Sequence, residues 1–165
     1  MAKHLAVTAF VFCAMASAAF AQVLETTTVV IDKKGLVWEF DETANAINLK
    51  VEATANAKAD WTATLAIVVV GKFKDAKGKI VRKVISQSSA ALTGPEGMAG
   101  TMKIEGSLGG AALQAAITDI ETQTGSKFQD TIDKLELVVT ATNQVHSGTP
   151  VTDTETKQNP TKKPK

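Results

Sequence analysis

WTATLAIVVVGKFKD, running from Trp61 to Asp75, carries six consecutive apolar residues, Leu65 to Val70, at its centre. A strand with one face in water alternates apolar and polar side chains, and a strand that stops alternating has both faces covered. The stretch therefore reads as the central strand of a β-domain. It presents Leu65, Ile67 and Val69 on one face and Ala66, Val68 and Val70 on the other.

The neighbouring segments follow from this strand. Asp75 to Gly78 has the residues of a short hairpin loop, so IVRKVISQSS should return antiparallel to the central strand. Upstream, NAINLKVEATAN alternates cleanly, with Ile47, Leu49, Val51, Ala53 and Ala55 on one side and polar residues on the other. LVWEF puts Leu36, Trp38 and Phe40 on one face. The threonine and valine run of QVLETTTVVID favours an edge strand. KLELVVTATNQV is the last strand expected, with Leu135, Leu137, Val139 and Ala141 inward. The expected core is thus Leu65, Ile67 and Val69 packed against Leu49, Val51, Leu137 and Val139.

One segment has a different period. Between residues 107 and 124, Leu113, Ala116, Ile117 and Ile120 recur at helical spacing, Gly125 suits the position after a last turn, and Ser107 is the candidate cap. A lone amphipathic helix here would cover Ala66, Val68 and Val70.

KDAKGKIV, LTGPEG and GTMKIEG, which lie between Lys74 and Gly106, resemble the immunoglobulin-like domains of bacterial envelope proteins of the FxLYD type. In that pattern Asp75 agrees, whereas Gly71, Phe73 and Lys74 stand where the aromatic, leucine and tyrosine would fall. The resemblance implies an immunoglobulin-like antiparallel β-sandwich, to which the periodicity over 107–124 adds one short covering helix. It implies no activity and carries over no functional residue.

The ends of the chain read differently. Residues 1–21 have a basic start at Lys3 and His4, an apolar run and an Ala19-Phe20-Ala21 cleavage site, the parts of a secretory signal peptide. The apolar run is too short to cross a ~30 Å hydrocarbon core, so no membrane span is expected once it is removed. Residues 22–146 then form a single β-sandwich domain, and the Thr-, Pro- and Lys-containing residues 147–165 a disordered polar tail. The export signal places the protein in the periplasm or outside the cell.

Beyond residue 21 there is no cysteine, no tyrosine and a single histidine, His146, at the border of the tail. Disulfides and thiolate chemistry are thereby excluded, and a histidine-based triad or zinc site lacks its parts. The carboxylates Glu39, Asp41, Glu42, Glu105, Asp119 and Glu121 are the pool for a glycosidase-type pair, with Trp61 and Phe128 as the aromatic faces left over from the core. No glycine-rich phosphate cradle is present. Neither an enzyme nor a cofactor is expected.

One dense charge cluster stands out, Lys72, Lys74, Lys77, Lys79, Arg82 and Lys83, with Asp75 the sole acid among them. Lysines of this kind guard sheet ends, and together they also form a candidate anion-contact patch. Beyond residue 21 acidic and basic residues balance at 17 each, far from the basic excess of a nucleic-acid binder. The expected function is a non-catalytic binding or structural module of the cell envelope or secreted fraction, whose partner is an envelope protein or an anionic glycan. A surface-polymer subunit assembled by strand addition, and more remotely a carboxylate hydrolase, are the alternatives.

Overall fold

The alternating segments form two sheets packed face to face as a β-sandwich, in a computed structural model that describes residues 13–19, 27–128, 134–146 and 148–162. The first sheet has the order β1 (Cys13–Ala19), β7 (Ala99–Gly109), β4 (Ala46–Asn56), β3 (Val37–Asp41) and β11 (Thr161–Lys162). β2 (Thr28–Ile31) shares one edge of β4 with β3. The second sheet runs β10 (Val151–Gln158), β9 (Leu135–Val145), β5 (Trp61–Lys74) and β6 (Ile80–Gly94), with β8 (Lys127–Phe128) on the end of β5. Every pairing is antiparallel except that of β11 with β3.

β5 is central to the second sheet, and the expected core forms around it. Leu65, Ile67, Val69, Leu49, Val51, Leu137 and Val139 are all buried, joined by Trp38, Met102, Ile104 and Leu108. The 75–79 turn is closed by Asp75, whose Oδ1 accepts the backbone N–H groups of Lys77 and Lys79 at 2.9 Å. Gly78 takes the positive φ of 77° that the turn requires. A buried amide ties the layers together: Asn143 on β9 donates through Nδ2 to the carbonyls of Thr28 and Asn56 in the opposite sheet. Such a group is retained inside because its hydrogen bonds offset the cost of desolvating it.

The helix forms but does not lie where its stripe suggested. α1 spans Gly110–Thr124 and ends at Gly125 in the left-handed conformation, as expected. Ser107 belongs to β7 instead of capping the helix, and the N-cap is Gly109 without a side-chain cap. Buried Ile117 closes one end of the sandwich, where it lines a hollow with Ile47 and Leu108 of the first sheet and Phe128 and Leu135 of the second. Among the described residues no second layer lies above Ala66 and Val68, which are only half-buried. Their shielding comes sideways, from Thr140 and Val138 on β9 and Ser89 and Gln87 on β6, the residues directly opposite them. Val70 is buried beside a bulge: β6 inserts Ile85 between Val84 and Ser86, the partners of Val70 and Val69, and all three of Val70, Ile85 and Ser86 are buried.

The carboxyl-terminal segment is a second correction. Val151–Gln158 is not a disordered tail but strand β10, paired with β9 over its whole length. Its polar composition misleads because the strand lies at a sheet edge, where it needs few apolar residues and gains from backbone pairing. It also reaches the other layer, since Asp153 accepts the backbone N–H of Ile31 at 2.9 Å and Lys33 bridges to Glu155 at 3.2 Å. Of the expected leader, residues 1–12 and 20–21 lie outside the described residues, and Cys13–Ala19 forms β1 on the edge of β7. The loop expected over 126–133 is in part β8, and residues 129–133 lie outside the described set.

The tie between Lys33 and β10 has a titration signature. The Lys33 ammonium, through its hydrogen bond, holds the Glu155 carboxyl below the usual glutamate range, against an opposing effect of desolvation and with further help from Lys157. A carboxyl whose folded pKa is depressed adds stability above its unfolded pKa and loses it as pH falls through the folded one. The contribution is therefore present at neutral pH and fades in the acid range below ordinary glutamate titration. In Lys33→Met the Glu155 carboxyl should titrate higher than in the parent protein by carbon-detected NMR; an unchanged midpoint would remove Lys33 as the cause.

Candidate functional site

The two outer faces of the sandwich differ in chemistry. On the first sheet the outward positions of β4 and β7 carry charges set against each other across strands: Lys50 opposite Glu105 and Glu52 opposite Lys103. The Lys103 ammonium pairs with Glu105, lowering the Glu105 pKa first through its hydrogen bond and then through its charge. This is an ordinary solvated face.

The second sheet's outer face is neutral across its middle. Its cross-strand rows read Gln144, Thr62, Thr93; then Thr152, Thr142, Thr64, Ala91; then Thr154, Thr140, Ala66, Ser89; then Thr156, Val138, Val68, Gln87. The period of two that sends Leu65, Ile67, Val139 and Ala141 inward sends these threonines outward. Thr62, Thr64, Thr93, Thr152, Thr154 and Thr156 are exposed, and the hydroxyls of Thr142 and Thr152 meet across strands at 3.4 Å.

Two concavities open on this face. A cleft of about 780 Å³ at one end is lined by Asp60, Trp61, Thr62, Thr93, Gly94, Pro95, Gln144, Val145 and His146. It shares Thr62, Thr93 and Gln144 with the first threonine row. A shallower depression of about 380 Å³ lies over Ala66, Val68, Gln87 and Ser89, two rows further along. Asp60 is held in place by accepting the backbone N–H of Glu96 at 3.3 Å. Trp61 contributes little more than an edge: it is 3% exposed, its ring lies over Gly94 and Gly100, and its Nε1 donates to the Met98 carbonyl at 3.1 Å. The expectation that Trp61 is a free aromatic face is thus overturned. Phe128 is not free either, since it packs half-buried against Phe73 with ring centroids 5.2 Å apart.

The basic cluster is divided by the geometry of the hairpin. Lys72 and Arg82 lie opposite each other on the outer face, where Lys72 reaches Gln158 at 3.4 Å and Arg82 pairs with buried Glu136. Lys74, Lys77 and Lys79 are exposed around the tip. Lys83 pairs with Gly71, so past the bulge it points to the opposite side of the sheet. Sequence proximity put six charges together; the pleat and the hairpin bulge leave three groups.

The carboxylates are likewise dispersed. Asp41 accepts the backbone N–H groups of Thr43 and Ala44 in a turn, Glu105 pairs with Lys103, and Glu121 accepts the N–H of Phe128. Asp119 bonds Gln123 one helical turn on. His146, exposed, lies in the cleft with Asp60, a juxtaposition that 85 intervening residues hide from a sequence reading. The threonine face was legible in part as alternation, but only strand register shows that the rows align.

No family model and no curated protein matches this chain. Among solved structures it is similar to red sea bream transglutaminase, at 12% identity and a TM-score of 0.42 over 86% of this chain and 17% of that one. It is also similar to the sporulation control protein Spo0M of Bacillus subtilis, at 11% identity and a TM-score of 0.39 over 85% of this chain and 49% of that one. A protein from Archaeoglobus fulgidus is similar at 12% identity and a TM-score of 0.32, over 82% of this chain and 97% of that one. The chain therefore spans less than half the length of the first two. Likenesses this distant assign neither activity nor partner. Among the described residues no helix is long and apolar enough to cross a membrane.

Proposed function

We propose that the protein is an exported, non-catalytic contact module of the cell envelope or secreted fraction, and that it works through the outer face of its second sheet. The observation that carries this reading is the neutral threonine face, exposed in rows across β10, β9, β5 and β6 while the opposite outer face is charged. Threonine suits strands anywhere, yet outward positions of the other sheet are served equally well by lysine and glutamate. A face kept free of charge over four strands is suited to contact with a neutral surface. The alternative, a polymer subunit that donates its amino-terminal strand, is less well supported, because β2 pairs within its own domain.

The test uses the full chain expressed in a bacterial host. The recovered protein should begin at Gln22 by mass spectrometry, its β1 removed with the leader and the β7 edge that β1 covers left open, and should cosediment with cell-envelope fragments. Thr64→Lys with Thr142→Lys should abolish that cosedimentation; the two lysines stand directly opposite each other, so the melting temperature should fall while the transition stays cooperative, which shows that the fold is kept. Sedimentation equal to the parent's would discard the face as the contact surface, and an uncleaved cytosolic product would discard export.

A further inference from the structure

We infer that the cleft at Asp60, Gln144 and His146 and the threonine rows beside it form one binding track for a neutral polysaccharide. The inference rests on the contact-module reading above and names the partner of that same face.

Size argues first. Four strands at ~4.8 Å spacing and three row intervals of ~6.7 Å give a neutral area of roughly 400 Å². A stable protein–protein interface needs about 800 Å² from each partner. The face also lacks what anchors such interfaces, since its outward residues are Thr, Ser, Gln, Ala and Val, with no aromatic, methionine or arginine among the rows. A second copy of this chain or another folded protein is therefore a poor fit. A long, narrow ligand is a better one.

Shape points the same way. The cleft of about 780 Å³ and the depression of about 380 Å³ lie on one face, separated by the row Thr142, Thr64, Ala91. From Thr62 to Val68 the track runs ~20 Å along β5 at ~3.3 Å per residue. Strands twisted by roughly 20–25° from their neighbours make the face a saddle, which follows a chain better than a flat lattice.

Chemistry selects the chain. Each threonine hydroxyl offers one donor and two acceptor lone pairs, which complement sugar hydroxyls. The threonine methyl groups, with half-buried Ala66, Val68 and Val138, give an apolar floor for the C–H faces of sugar rings. Asp60, Gln144 and His146 supply directional polar groups in the cleft, and Pro95 and Val145 its apolar walls. A charged glycan is disfavoured, because the rows hold no cation and the lysines stand beyond them at the hairpin.

Affinity electrophoresis of the full chain through gels containing hydroxyethyl cellulose, glycol chitin or amylopectin tests the inference. At least one polymer should retard the protein. Affinity should fall tenfold or more in Thr64→Lys with Thr142→Lys, and measurably in Gln144→Ala, which leaves the sheet uncharged. Thr54→Lys with Thr101→Lys, on the other outer face, and Lys74→Gln with Lys77→Gln and Lys79→Gln should be retarded as strongly as the parent is, each compared with its own mobility in a polymer-free gel. Free mobility in all three gels, or retardation that survives both track variants, overturns the inference. If envelope cosedimentation depends on Thr64 and Thr142 but no gel retards the protein, the polysaccharide is wrong and the contact reading stands; if cosedimentation is absent too, both fall.

Discussion

Leu65→Ala should lower the unfolding free energy into the upper half of the ~2–5 kcal/mol range measured for buried leucines. Leu65 is fully buried at the middle of β5, and its cross-strand neighbours on the inner face are Ala90 and Ala141. Truncating the large residue of that row leaves three alanines side by side. Neighbours that small cannot move in to fill the gap, so a cavity remains and its cost adds to the lost transfer free energy. Urea denaturation of the parent and variant, compared at equal slope, measures the difference. A loss below about 1 kcal/mol would place Leu65 outside the core and reverse the inner and outer faces of β5, and with them the threonine face.

Removal of residues 147–165 should destabilise the domain by about 4 kcal/mol, taking the ladder between β10 and β9 at eight paired positions and the low end of ~0.5 kcal/mol per hydrogen bond. Asp153, the acceptor for Ile31, and Asn159, whose N–H donates to the Leu135 carbonyl at 2.9 Å, are lost with it. The same truncation bares β9, whose edge then has a row of unpaired backbone groups open to other chains. Lower stability in urea should thus be accompanied by concentration-dependent association in sedimentation. A truncated protein that unfolds like the full chain and stays monomeric would make β10 a dispensable appendage.

These two expectations divide along what each level of description can see. Leu65 was legible as core because a buried strand in this chain is marked by its own side chains, and a period of two needs no knowledge of neighbours. The same holds for Leu49, Val51, Leu137 and Val139, for the turn at Asp75, and for the glycine that ends α1. Each is set by local backbone geometry or by one residue's solubility.

The polar composition around Thr152, Thr154 and Thr156 suggests disorder because an edge strand is stabilised by partners 10 to 18 residues away in sequence, and composition does not register that pairing. The position of the helix escapes the sequence for a related reason. An apolar stripe says that Ile117 must be buried, but not against what, and the open end of the sandwich competed successfully with the outer face of β5. Half-buried Ala66 and Val68 found their shielding in their own sheet.

The candidate site divides in the same way. Alternation in KLELVVTATNQV puts Thr140 and Thr142 away from the core, and composition determined that the chain beyond residue 21 has one histidine and no cysteine. Tertiary structure alone decided that four strands align those threonines into neutral rows, that Asp60 and His146 meet in one cleft, and that six clustered basic residues part into three groups. Alternation is a property of each strand, whereas register, bulges and layer closure depend on pairing between segments far apart in the chain.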